Sequence, residues 1–177
     1  MLMAGSDISA QAGLLLSQIG QACGARVCIE TFPTRVTRGA GSGEMEKLPY
    51  LAEQAIEFLA DVETMILVGA KAPVSFFAYP GVSSVLYGQS CELVPMASAQ
   101  DDLEDCLMRL RDALGPEAEP AVYARAASEP PAGELNAFSA GPSLAHYLPD
   151  NAIIIDEGPT TSIARFALTA HAAARPR

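Results

Sequence analysis

The stretch Asp156-Glu157-Gly158-Pro159-Thr160-Thr161-Ser162 sets acid, glycine and three hydroxyls at the end of the apolar run 152–155. Residues of these types at the amino end of a helix can meet a phosphate ester. Backbone N–H groups and hydroxyls both donate there, and the helix dipole favours negative charge. An ordinary strand-to-helix turn with Thr or Ser as its cap uses the same residue types, so both readings stay open.

Two glycine turns hold comparable positions. Gly5-Ser6-Asp7 follows the first apolar run, and Gly69-Ala70-Lys71 follows the run 64–68. In open α/β sheets ligands bind beyond the carboxyl ends of the strands, although a tight turn alone also calls for glycine. The loop Gly39-Ala40-Gly41-Ser42-Gly43 departs from G-x-G-x-x-G because residue 44 is Glu, and no Lys-Ser or Lys-Thr follows it. Arg35 and Arg38 beside this loop could hold a phosphate or sit in ion pairs. Phe76, Phe77 and Tyr79 could stack on a flat ligand or cap the core, and burial is the commoner fate of such a cluster. No G-x-S-x-G and no Cys–His spacing marks a nucleophile. No catalytic residue and no metal site is therefore expected.

Composition narrows the partners. Eleven Lys and Arg against 21 Asp and Glu give a net charge of −10, which disfavours nucleic acid and anionic membranes, both polyanions. No apolar run reaches the 18 residues of a spanning helix. The first residues lack the basic region of a signal peptide, so a cytoplasmic protein is expected. Cys23, Cys28, Cys91 and Cys106 form no C-x-x-C pair and read as reduced core thiols. His146 and His171 fall in different segments, which makes a metal cluster improbable.

The elements that must position these residues alternate along the chain. A strand at residues 1–4 leads into a helix with Ile8, Ala12, Leu15, Ile19 and Ala22 at helical spacing, stopped by Gly24. The run 27–29 is a short strand, and 33–49 is a loop framed by proline and glycine. A helix follows over Leu51, Ala55, Phe58 and Leu59. The continuous apolar run 64–68 suits a strand buried on both faces, 73–81 is irregular, and 93–96 is a further strand. Leu103, Leu107, Leu110 and Leu114 form a helical stripe between Asp101-Asp102 and Gly115-Pro116. This order predicts an α/β, Rossmann-like domain, its mostly parallel sheet flanked by helices, over residues 1–115. A Pro/Ala/Glu-rich linker is expected over 116–141. The segment 142–177 reads as the start of a second α/β domain, cut short, with Pro142 in the first turn of a helix and a strand at 152–155.

Larger runs carry a family likeness. Glu30-Thr31-Phe32-Pro33 with Arg38-Gly39-Ala40-Gly41 and Leu48-Pro49-Tyr50 resembles thiamine-diphosphate enzymes of the acetolactate synthase and benzoylformate decarboxylase group. So do Leu67-Val68-Gly69-Ala70-Lys71-Ala72-Pro73-Val74 and Phe76-Phe77-Ala78-Tyr79-Pro80-Gly81. The nearest likeness is to the acetolactate-synthase-like large-subunit proteins of bacteria. It covers residues 1–115 as a central domain and resumes from Leu148 to Gly158 as the opening of a diphosphate-binding domain.

The resemblance implies a parent enzyme with thiamine diphosphate and Mg2+, a 2-keto acid substrate and a homo-oligomeric state. The cofactor supplies the electron sink for loss of carbon dioxide or carboligation. The family's activating glutamate belongs to a preceding domain, and its Gly-Asp-Gly magnesium motif is absent from this sequence. The 177-residue chain is thus expected to be inactive and to bind no cofactor tightly. Thr160, with Thr161 and Glu157, maps to the family's diphosphate turn, although Pro159 stands where relatives often have a hydroxyl. Some relatives hold FAD or ADP in the central domain, for which Gly5, Arg38, Gly69, Ala70 and Lys71 are the candidate lining. A dimer scaffold without ligand is the remaining alternative.

Overall fold

The computed structural model describes residues 1–158 apart from 6, 79, 116, 126–128, 130, 131 and 150. The chain forms two compact units. The first, Met1–Val36 with Glu44–Ala121, is an α/β domain. The second is Thr37–Gly43 with the chain from Val122 onward.

In the first unit, β1 (Leu2–Ala4) and β2 (Asp7–Ile8) precede α1 (Ala10–Cys23). Ser9 caps α1 by accepting the Ala12 N–H at 3.0 Å, and Gly24 closes it in the left-handed conformation. β3 (Val27–Ile29), β4 (Arg35–Val36) and β5 (Glu46–Lys47) come next, followed by α2 (Ala52–Leu59), β6 (Thr64–Val68), β7 (Glu92–Ala97) and α3 (Leu103–Leu114). Asp102 caps α3 by accepting the Asp105 N–H at 3.0 Å. Glu104 and Asp105 in its first turn and Arg111 in its last suit the helix dipole.

The main sheet has the order β5-β3-β1-β6-β7, with every pair parallel. The chain builds outward from β1 on one side, then returns to build outward on the other, which is the expected doubly wound α/β fold. Strand residues alternate between faces. Met3, Cys28, Met65 and Leu67 join Ala52, Ala55 and Leu59 of α2 in one core layer. Helices α1 and α3 pack together, and Gly20 of α1 lies tight against Val27. β7 tolerates Pro95 because it is an edge strand and the register slips between Leu67 and Val68, so the missing N–H spoils no ladder.

Several expected details change. The loop 33–49 contains β4, which pairs with β2, and β5, the outer strand beside β3. Both are two residues long, too short to show a period. Cys28 and Cys91 are buried as expected, but Cys23 is exposed and Cys106 half-buried, because they ride helix positions turned from the core.

In the second unit, the turn at 39–43 pairs with the segment from Val122. Gly41 donates to the Tyr123 carbonyl at 2.7 Å, and the Tyr123 N–H donates to Ser42 at 3.0 Å. α4 (Ala137–Tyr147) carries Pro142 in its interior rather than its first turn. The helix begins earlier because Asn136 and Ser139 form a capping box. Residues 152–155 form no strand: no strand among the described residues pairs with them, and Ile153 and Ile155 are 92 % and 83 % exposed.

Candidate functional site

The parallel sheet delivers four turns to one edge. β1 ends at Gly5, β3 at Glu30, β6 at Gly69-Ala70-Lys71 and β7 at Ser98. The winding reverses at β1, so the crevice between β1 and β6 is where an open sheet would take a ligand. Of the candidate nucleotide lining, the structure brings Gly5, Gly69 and Ala70 together here, with Lys71 exposed beside them. Arg38 belongs to the second unit.

The turns are stitched to one another. The Gly5 N–H donates to Val68 O at 3.1 Å, Glu30 N–H to Ala4 O at 2.8 Å, and Gly69 N–H to Ala97 O at 2.8 Å. Two glycines have packing reasons. A Cβ on Gly5 would lie 2.6 Å from the Ala70 Cα, 2.8 Å from its Cβ and 2.8 Å from Glu30 Oε2. Gly69 has φ 66°, and a Cβ there would meet Leu103 Cδ1 at 2.9 Å. The space that these glycines leave is thus taken up by the chain itself.

Next to this edge, the amino ends of α1 and α3 border a cleft of about 280 Å³ lined by Asp7, Ser9, Arg35, Asp101, Asp102 and Glu104, among others. Each of its carboxylates has a local partner. Arg35 grips both Asp7 oxygens, Nε on Oδ1 at 2.9 Å and NH2 on Oδ2 at 2.8 Å, which holds the guanidinium pKa above its ordinary value. The Ser9 hydroxyl donates to Glu104 Oε1. Asp101 Oδ2 accepts the Ser98 N–H at 2.7 Å and its hydroxyl at 2.8 Å, and these two bonds keep its carboxyl below the usual range. The sequence marks Asp7, Arg35 and the Asp101-Asp102 helix start separately, and only folding brings them to one cleft.

Phe76 and Phe77 do not cap the core. They are 65 % and 51 % exposed and continue a chain of edge-on rings with Phe32 and Tyr50. Residues 73–78 run as an irregular loop past the end of β6. Tyr79 lies outside the described residues.

In the second unit, Arg38 stacks over the Tyr123 ring with its guanidinium carbon 5.9 Å from the centroid. Burial pulls its pKa down, while the Tyr123 charge and hydrogen bond oppose the shift. Glu157 is exposed, and the Asp156 carboxylate turns back to accept the Gly158 N–H at 3.1 Å. Thr160 and Thr161 lie outside the described residues. Among the described residues, no group of three His, Cys, Asp or Glu could hold a metal ion, and no helix is long and apolar enough to cross a membrane.

Along 164 residues, 92 % of its length, the chain is 38 % identical to a protein of Mycobacterium tuberculosis strain H37Rv named "Putative acetolactate synthase large subunit IlvX". The match takes in 32 % of that protein, so the chain spans about a third of the length of the curated relative it matches. No protein-family model and no solved structure matches the chain.

Proposed function

We propose that this chain is the central part of an acetolactate-synthase-like enzyme that uses thiamine diphosphate and Mg2+ on 2-keto acids, and that it turns over no substrate by itself. The observation that carries this reading is the 38 % identity along nearly the whole chain to a protein named as such a large subunit. The parallel sheet in the order β5-β3-β1-β6-β7 supports it, because it is the architecture expected of a central domain of that family. Bound elsewhere in the enzyme, the cofactor would supply the electron sink for loss of carbon dioxide or for carboligation. Glu157, exposed just ahead of Thr160 and Thr161, is the described residue on the proposed diphosphate side. Magnesium finds no ligand set among the described residues, so no step of the chemistry is assigned to them. A cytoplasmic homo-oligomer completes the proposal.

Within that enzyme the first unit serves as a scaffold rather than a nucleotide module. The close packing of Ala70 and Glu30 on Gly5 favours this choice. Two measurements test the reading. The purified chain, given thiamine diphosphate, Mg2+ and pyruvate, is expected to release no carbon dioxide, and turnover would overturn the assignment of catalysis to other parts. An antibody against the chain should detect, in source cells, a polypeptide about three times its length. A native product of 177 residues would sink the fragment reading.

A further inference from the structure

We infer that the anion position at the amino end of α1 is filled from within by Glu104 of α3, and that the chain takes no dinucleotide there. In doubly wound sheets a dinucleotide lays its diphosphate on the first helix, over the glycine that ends the first strand. The equivalent parts here are β1, Gly5 and α1, with the winding reversal beside them.

Three observations close the position. First, the Cβ side of Gly5 is closed by backbone, since even a methyl group there would lie 2.6 Å from the Ala70 Cα. Second, the cap of α1 is already engaged on both sides: Ser9 Oγ accepts the Ala12 N–H and donates to Glu104 Oε1. A carboxylate thus sits at the positive end of the helix dipole, where a phosphate would otherwise be stabilised. Third, among the described residues that line it, the adjoining cleft sets the carboxylates of Asp7, Asp101, Asp102 and Glu104 against the single cation Arg35, and Arg35 is clamped on Asp7. A diphosphate entering this cleft meets net like charge, with Arg35 already committed to Asp7 and Lys71 outside the lining. The same Glu104 contact ties the start of α3 to the start of α1, so closing the position and fastening the two helices are one interaction.

The inference does not depend on the enzyme family proposed above, and its test reads ligand binding rather than turnover. The full chain is titrated with ADP, FAD and inorganic pyrophosphate at millimolar concentration while the melting temperature is followed. The wild-type chain is expected to show no shift with any of them. Glu104→Lys, checked for folding by far-UV circular dichroism, exchanges the internal anion for a cation and should gain a pyrophosphate-induced shift of about 2 °C or more. Glu104→Gln, which keeps an acceptor for Ser9 but removes the charge, should gain a smaller one and guards against misfolding of the lysine variant. A wild-type shift with ADP or FAD overturns the inference. So does a folded Glu104→Lys chain that stays blind to pyrophosphate.

Discussion

Replacing Gly5 by alanine tests the packing at the winding reversal most directly. The new methyl carbon would stand 2.6 Å from the Ala70 Cα, roughly 1 Å inside the ~3.5–4.0 Å of a relaxed carbon contact. Glu30 offers no lasting obstacle, because the end of a long side chain can swing away. The Ala70 Cα is backbone, however. Its neighbour Gly69 is held by Ala97 O at 2.8 Å, and Gly5 itself is held by Val68 O at 3.1 Å. Relief therefore requires β1 and β6 to part at their carboxyl ends. Overpacking of this kind costs about 1–3 kcal/mol, partly offset by the ~0.4–1 kcal/mol that a less flexible unfolded chain returns. The expected net loss is about 1–2 kcal/mol, or roughly 2–8 °C in melting temperature for a chain of this size. Urea titration followed by circular dichroism measures it. Gly88→Ala is the control: its methyl would meet nothing nearer than Ser90 Oγ at 3.9 Å, so only the unfolded-chain gain remains and its midpoint should equal or slightly exceed that of wild type. Adding Ala70→Gly to Gly5→Ala removes one of the two carbon clashes and should recover only part of the loss. A Gly5→Ala midpoint equal to that of Gly88→Ala would refute the close approach, and the filled crevice with it.

Other outcomes follow from the same packing and charge arrangement. Leu107 has no exposed surface in α3, so Leu107→Ala should cost about 2–5 kcal/mol in urea titration. The Asp101 carboxyl is depressed by the Ser98 N–H and hydroxyl, so its contribution is present above the unfolded carboxyl pKa and lost as pH falls through the folded one. Asp101→Asn should accordingly lower stability at neutral pH, with the gap to wild type closing in acid. Burial, helped by Glu46, pushes the Cys28 thiol up to about 12, while Cys23 is exposed. Mass-spectrometric mapping of iodoacetamide labelling at mildly alkaline pH should find Cys23 modified early and Cys28 spared until the chain unfolds, because only the thiolate reacts.

What the sequence disclosed follows from how each signal is encoded. The stripe Leu103, Leu107, Leu110 and Leu114 and the run at Thr64–Val68 were legible because helix and buried-strand patterns are local. Glu46–Lys47 and Asp7–Ile8 became strands only because β3 and β4 lie alongside them, and no window of sequence contains that pairing. Residues 152–155 show the reverse case, an apolar run that finds no partner strand among the described residues. The turns at Gly5 and Gly69 were placed correctly at the sheet edge, yet their glycines answer to Ala70, Glu30 and Leu103, distant in sequence. Glu104 was one acid in a helix start until folding set it on Ser9. The exposed rings of Phe76 and Phe77 were misjudged because composition records that aromatics are adjacent, not which way a loop turns them.

The central place of β1 also orders the assembly of the domain in time. Leu2 pairs with Val27 on one side and with Ile66 on the other, so this strand is completed by a partner made much later. As the chain leaves the ribosome, β1, α1 and β3 can dock early as a half-sheet. The β6 side of β1 then remains an open ladder until Thr64–Val68 emerges. Such distant pairings make the closing step slow. During that interval the apolar Leu2–Ala4 edge, hidden in the finished protein, is the surface on which nascent chains can join one another, and the one a chaperone would have to cover.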